Sequence, residues 1–271
     1  KATGIMTSYK FKGTEYISDS FGLRPFFWRA PLDNDYGARM PKTLKAWHDA
    51  SYQQLKAENF KVETGEETVI SCTYAYYDAK AVWNIKYTFA NDGRVKVENH
   101  FDATKSELPL IFRVGMRMQM PQEFVNAEYY GRGPLENYSD RKTSNFIDRY
   151  KTAISDQVER YVFAQENGHH TDASWLAVTT KSGKGLLVAS DDTFEFNLSN
   201  YLLETISNGD DWHNDAPAET APAKKHSNAY VASDKVDLFI DYRMQGVGGN
   251  NSWGHLPEPP YRIVPGETKI T

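Results

Sequence analysis

The sequence predicts an all-β chain built as a large antiparallel β-sandwich. Three observations carry this reading. Apolar and polar residues alternate with a period of two in several stretches, turn chemistry separates those stretches, and helical periodicity is scarce. Composition agrees. Of the 271 residues, 40% are hydrophobic and 25% charged, enough for a sizeable core, and the 14% aromatic share is dominated by Tyr and Phe.

The clearest element is a hairpin. Residues 82–90 read VWNIKYTFA, with Trp83, Ile85, Tyr87 and Phe89 on one face. Asn91-Asp92-Gly93 follows, and Val95, Val97 and Phe101 then resume the period. Gly93 accepts the positive φ that such a tight turn demands. Phe112, Val114, Met116, Met118 and Met120 share one face of a further strand. Residues 175–180, a turn at 182–185 and residues 186–190 make a second hairpin, and 193–198 and 236–243 add strands. Trp83 and Trp175, both in alternating runs, are expected in the core. The best helical stretch is 43–52, where Leu44 and Trp47 lie three apart and Tyr52 follows. The one cysteine, Cys72, lies in a strand-like run and reads as a buried, inert thiol. With no internal repeat and no Pro/Gly-rich linker, residues 1–271 read as a single domain. Residues 207–225 are polar, rich in Ala, Pro and acids, and without periodicity; they read as a long exposed loop.

Charge and hydropathy exclude some functions. Lys and Arg number 31 against 36 Asp and Glu, a net charge of -5, where a nucleic-acid partner would want a basic stripe. No stretch approaches the roughly 20 apolar residues of a membrane helix. The chain begins at Lys1 without an initiator Met, which reads as an excised or processed piece. The sequence does not choose between cytoplasm and periplasm.

Four stretches resemble one family. Residues 29–37, RAPLDNDYG, resemble the RAPLDND-x-G signature of large β-galactosidases of glycoside hydrolase family 2. Residues 130–141, YGRGPLENYSDR, are similar to its G-x-GP-x-ENY-x-DR run, and residues 163–168, FAQENG, to its F-x-x-ENG segment. Residues 246–253, GVGGNNSW, resemble a segment near its carboxy terminus. Each is weak alone; four in order are specific, and together they span most of the chain.

The resemblance implies a supersandwich of the galactose mutarotase-like kind, the carboxy-terminal domain of a retaining β-galactosidase. It implies that the TIM barrel with the two catalytic carboxylates lies elsewhere, on the same or a partner polypeptide. A retaining glycosidase needs two carboxyls roughly 5–5.5 Å apart across the scissile bond. Glu136 and Glu166 sit in the motifs, but bonds to turn backbone or pairing with Arg, as of Glu136 with Arg132 or Arg141, explain them, so no catalytic residue is expected in this chain. Trp253 is expected to stack on the substrate galactoside beside Asn251, because it stands in a Gly/Asn/Pro-rich stretch with no strand period, and the family's matching tryptophan reaches into the active-site pocket. Asp33, Asn34, Asp35 and Gly37 are expected in a mobile surface loop at the active-site mouth.

Metal is not expected within the chain. Asp33-Asn34-Asp35 lacks the spacing of a Ca²⁺ loop, and adjacent His169 and His170 project apart. The family's enzymes use Mg²⁺ and sometimes Na⁺ at sites in other domains, so the resemblance implies those ions for the whole enzyme only. Asp210-Asp211-Trp212-His213 reads as solvated loop. A homo-oligomer is compatible with the family. Two other classes fit the same fold: a carbohydrate-binding or assembly module, and an aldose 1-epimerase, which would need a Glu and a His across one ring.

Overall fold

A computed structural model of the chain describes residues 3–105, 107–207, 226–249, 251 and 254–271. Trp253 and the segment from 208 to 225, with Asp210, Asp211, Trp212 and His213, lie outside the described residues. In chain order the described residues form β1 (Lys10–Phe11), β2 (Thr14–Glu15), β3 (Arg24–Phe26), α1 (Asp33–Gly37), α2 (Met40–Thr43), α3 (Lys45–Tyr52) and β4 (Glu58–Thr64). There follow β5 (Thr68–Tyr76), β6 (Ala81–Phe89), β7 (Val95–Asp102), β8 (Arg113–Pro121), β9 (Phe124–Gly133), β10 (Phe146–Ala153) and β11 (His169–Thr180). The last are β12 (Gly185–Ser199), α4 (Leu203–Ile206), β13 (Lys235–Met244) and β14 (Glu267–Ile270).

Among the described residues the strands make a seven-stranded sheet, β10-β9-β11-β12-β13-β8-β3, a five-stranded sheet, β14-β7-β6-β5-β4, and the small pair β1-β2. Every pairing is antiparallel, so the all-β sandwich expected from alternation is the fold.

The β6–β7 hairpin turns where the Asn-Asp-Gly signal lies, pairing Phe89 with Val95 and Trp83 with Phe101. Trp83, Ile85 and Tyr87 point inward and join Phe26, Phe27, Trp28, Trp47 and Phe112 in one core cluster. Phe27 sits among the rings of Trp47, Tyr76, Trp83 and Phe101, with centroids 5.1 to 5.7 Å away. Such tilted and edge contacts each add about 0.5–1.5 kcal/mol beyond area burial. The helix expected at 43–52 is α3, which seats Trp47 in this cluster, its indole N–H donating to the Pro109 carbonyl at 2.9 Å. Cys72 is buried and free, its thiol pKa pushed up by burial. A second cluster lies on the large sheet, where Met118, Met120, Tyr129, Leu176, Phe196 and Leu238 pack with Tyr16 and Ile17.

Strand β8 departs from the one-sided pattern of its methionines. Residues 113–120 are all buried, so both faces are covered, and the second face carries Arg113, Gly115, Arg117 and Gln119. Buried charge is tolerated only when paired. The pairing comes from β13 and α4: Arg117 meets Asp237 of β13 at 2.7 Å and Glu204 of α4 at 2.6 Å, and Arg113 meets Asp241 of β13 at 3.0 Å. Gly115 stands opposite Asp241 in register, and a Cβ there would lie 2.0 Å from Asp241 Oδ1. Glycine at this position makes room for the carboxylate.

Two expectations need correction. The stretches 186–190 and 193–198 are one strand, β12, that runs 15 residues. Trp175 is half-buried, not in the core. Strand β11 changes register between His170 and Ala173 and again between Ala173 and Trp175. His169, Thr171 and Ala173 are therefore buried before the irregularity, and Leu176, Val178 and Thr180 after it. A bulge inserts a residue and reverses which side chains face inward.

Candidate functional site

The four motif stretches, up to 217 residues apart, meet at one place. The first follows β3. Asp35, in the first turn of α1, accepts the Leu32 amide at 2.9 Å and takes a bidentate grip on Arg29 Nη2 at 2.9 and 3.0 Å. Both side chains are buried, 0% exposed for Arg29 and 2% for Asp35. Arg29 has donors left over. Nη1 reaches the Gln245 carbonyl at 2.6 Å and Nη2 the Gly246 carbonyl at 3.2 Å. One guanidinium thus ties the first motif to the last.

The second motif leaves β9 and turns back toward β11. Asn137 is fully buried and occupies its amide with the carbonyls of Arg132 and Leu135, both at 3.0 Å, while its oxygen accepts the Thr171 amide at 3.0 Å. Asp140 accepts the backbone amides of Val247 at 3.1 Å and Gly248 at 2.9 Å. Leu32, Tyr138, Met244 and Val247 form a small apolar cluster beneath these contacts, with members from the first, second and fourth stretches.

The third motif closes the arrangement. The Glu166 amide donates to the Ala30 carbonyl at 3.2 Å, and the Gly168 amide donates to Glu136 at 2.7 Å. Glu136 also pairs with Arg141 at 2.5 Å and accepts from the Tyr161 hydroxyl. The alternative partner, Arg132, pairs with Asp172 at 2.7 Å instead. Glu166 is buried and accepts from Asn197 at 2.7 Å, with Arg113 at 3.9 Å. Both motif glutamates are therefore committed to protein donors, which is the structural role read for them from sequence.

The residues expected at an active-site mouth are placed as follows. Asp33 and Gly37 are exposed, and Asn34 is half-buried. Asn34 lies against the fourth stretch. Its amide reaches the Val247 carbonyl at 3.4 Å, and with the carboxamide turned over it donates to Asn251 O at 3.3 Å and accepts from Gly249 N at 3.2 Å. Asn251 is exposed. The surface loop expected at Asp33, Asn34, Asp35 and Gly37 is a correction: these residues form the short helix α1, with Asp35 buried, and α2 follows with Met40 and Pro41 buried. The Arg29 guanidinium, unpaired otherwise in an apolar interior, draws Asp35 inward. Trp253 is outside the described residues, but Gly254 is not. A Cβ at Gly254 would come 2.7 Å from the Gly37 carbonyl, so the chain just after Trp253 packs on the end of α1.

A buried polar group behind this region escaped the sequence reading. His169 bonds Asn197 Oδ1 through Nδ1 at 2.8 Å and Glu195 through Nε2 at 3.0 Å, and Glu195 also accepts the Met244 amide at 2.6 Å. Burial pulls the His169 imidazole down, but the bond and charge of Glu195, with Asp241 nearby, raise it above its ordinary value. Burial pushes the Asp241 carboxyl up to about 7 against the opposing pull of Arg113 and His169. His170, on the other side, has Gln157 at 2.7 Å and stacks on Phe196, and burial lowers it to about 4. The two histidines do project apart. A signal for this group existed: Arg113 and Arg117 lie four apart in one apolar run and Asp237 and Asp241 four apart in another, which is what two neighbouring buried strands of opposite charge look like.

Among the described residues no group of three or more His, Cys, Asp or Glu side chains is gathered around one point that could hold a metal ion. An open groove of about 470 Å³ lies over the five-stranded sheet, lined by Lys61, Thr73, Asn84, Lys86, His100 and Lys269 among others; it is remote in sequence from every motif.

The β-galactosidase small-chain family model matches residues 1–271. The β-galactosidase of Priestia megaterium is 33% identical over 263 residues, covering 97% of this chain and 24% of its own length. That of Vibrio cholerae is 31% identical over 278 residues, with 97% and 24% covered, and that of Halalkalibacterium halodurans 29% over 262 residues, with 94% and 24%. The chain spans about a quarter of the length of these curated relatives.

Proposed function

Because this chain belongs to the β-galactosidase small-chain family, we propose that it is the carboxy-terminal accessory part of a retaining enzyme that hydrolyses terminal β-D-galactosides. It completes the galactoside site of a catalytic barrel carried on the remaining three-quarters of the enzyme, on the same or a partner polypeptide. Trp253 and Asn251 face the sugar, and Asp33, Asn34 and Gly37 border the mouth of the site. The observation that carries this reading is the convergence of the four motif stretches on one place, where Arg29, α1 and Asp140 are bound to residues 245–248. Mg²⁺ and Na⁺, where the enzyme uses them, belong to the larger part.

What this region supplies to the sugar is position and contact, not acid or base. Glu136 has both oxygens occupied by Arg141, Tyr161 and Gly168, and Glu166 is 2% exposed with Oε1 accepting from Asn197, so neither is placed to protonate a glycosidic oxygen or attack C1. Against the epimerase alternative stand the histidines it would draw on: His169 and His170 are 0% and 1% exposed and would not reach a sugar ring, while His100 is half-buried and bonded to Glu267 at 2.9 Å on the five-stranded sheet, which carries none of the four motif stretches.

The test is Trp253→Ala in the intact enzyme. Loss of one stacking aromatic should raise KM by the equivalent of roughly 1–3 kcal/mol, with Trp253→Phe recovering part. The isolated chain should show no turnover of a chromogenic β-galactoside. A wild-type KM in the alanine variant, or genuine turnover by the isolated chain, overturns the reading.

A further inference from the structure

The bulge in β11 leaves two large rings on the open face of the seven-stranded sheet. Tyr129 and Leu176 point into the core cluster of that sheet, so their neighbours Tyr130 and Trp175 point away from it. The two are direct cross-strand partners, Trp175 on β11 opposite Tyr130 on β9. Tyr130 is 42% exposed and Trp175 is half-buried. Among the described residues neither ring packs on another aromatic, and neither the indole N–H nor the phenol hydroxyl has a protein partner. Rings of this kind are normally buried with their polar end bonded, so a pair left open offers both its faces and its donors to something outside.

The surrounding rows make room and add polar groups. Trp175 pairs with Ala189 of β12, a small side chain beside the indole. In the next row Ala177 stands between Glu128 and the exposed Leu187, and in the row after that Thr179 lies beside Asn126. Glu128 is held by Lys151 at 3.2 Å and by Arg149, which is opposite Tyr130 on β10. An open groove of about 440 Å³ lies over this face, lined by Asn126, Glu128, Lys151, Ala177 and Thr179. From Trp175 to Thr179 the strand advances about 13 Å, more than one pyranose ring needs.

Such a face suits a sugar chain. A pyranose shows C–H groups on one side and hydroxyls at its rim, so it wants a flat apolar platform with amide, carboxylate and ammonium groups alongside. The centre of a protein-binding patch would instead be poor in Lys and Glu. A phosphate or sulfate would meet the Glu128 carboxylate, which favours a neutral ligand.

We propose that this face binds a neutral oligosaccharide or polysaccharide chain, its rings stacked on Tyr130 and Trp175 and its hydroxyls bonded along the groove. The choice of a galactan as the probe rests on the galactoside reading given above.

The experiment is electrophoresis of the intact enzyme in native gels containing soluble β-galactan, with a galactose-type iminosugar present to fill the galactosidase site. The variants are Y130A, W175A and W175F. Wild type should be retarded, the galactan concentration that gives half the retardation should rise about 10-fold or more in Y130A and W175A, and W175F should recover part of the loss. Unretarded wild type, or alanine variants retarded like wild type, overturns the proposal. A loss of oligomeric mass in the variants with retardation unchanged also overturns it, since the rings would then be covered by protein. Should W175A fail to fold, Y130A decides, because the Tyr130 side chain is exposed. Turnover of a chromogenic β-galactoside by the same samples tests the galactosidase reading separately: retardation without turnover overturns that reading and supports this one.

Discussion

Arg29 and Asp35, six residues apart and buried together, form a bidentate ion pair that also carries the carbonyls of Gln245 and Gly246 on the same guanidinium. Breaking a buried pair leaves an uncompensated charge, which costs about 3–5 kcal/mol. Asp35→Asn should therefore destabilise the chain by that amount in urea unfolding. The double replacement Arg29→Met with Asp35→Leu should recover only part, because the two carbonyls still lose their donors. A change below about 1 kcal/mol in Asp35→Asn would mean the pair is not holding this end together.

Gly115 predicts a different failure. Its added Cβ would meet Asp241 Oδ1 at 2.0 Å and the Ile240 carbonyl at 2.8 Å, both on the neighbouring central strand. Gly115→Ala should cost at least ~3 kcal/mol, since overpacking and displacement of Asp241 from Arg113 add. Gly65→Ala, whose nearest neighbour is 3.9 Å away, is the control and should be near neutral. Equal midpoints for the two variants would contradict the packing described around β8 and β13.

His170 sets a pH dependence. Its folded pKa is lowered to about 4, chiefly by burial, while in the unfolded chain it titrates near 6.5. Between those values the unfolded chain binds a proton that the folded one does not. Stability therefore falls as pH drops from about 6.5 to 4, by roughly 3 kcal/mol, and is insensitive above that window. His169 has the opposite sign, because its folded pKa is raised: its contribution is complete below the unfolded value and is lost as pH rises through the folded one. The measurement is accordingly a difference, wild type against His170→Gln, between pH 7 and pH 4. Parallel curves would show that His170 does not carry the effect.

The two strand tryptophans should behave unequally. Trp83 is fully buried, packs on Phe27 and Phe101, and donates its indole N–H to Asn99 at 2.9 Å. Trp83→Ala should cost about 3–5 kcal/mol. Trp175 is half-buried after the register change in β11, so Trp175→Ala should cost about half as much or less. Chemical denaturation of both variants checks this, and the reverse order would mean that β11 is out of register with β9 and β12.

Local chemistry determined most of the strands. The period of two in Trp83–Ile85–Tyr87 and the Asn-Asp-Gly turn need only neighbours in sequence, so the β6–β7 hairpin was legible, as were α3 and the order of the four motifs. The structural role of Glu136 was legible too, because Arg141 stands five residues on in the same motif, whereas the partners of Glu166, Asn197 and Arg113, lie far off in the chain. Tertiary structure alone decided the rest. The bulge in β11 depends on what β9 and β12 offer as partners, and it reversed the side on which Trp175 falls. The helical, inward turn of Asp35 depends on Arg29 being enclosed by residues 245 and 246, over 200 positions later. Asp140 accepts two amides, those of Val247 and Gly248, that no local pattern reveals, since a backbone N–H has no residue type of its own. A sequence records which side chains are present, whereas the pairing of a buried charge or a loose amide is fixed only when distant strands close around it.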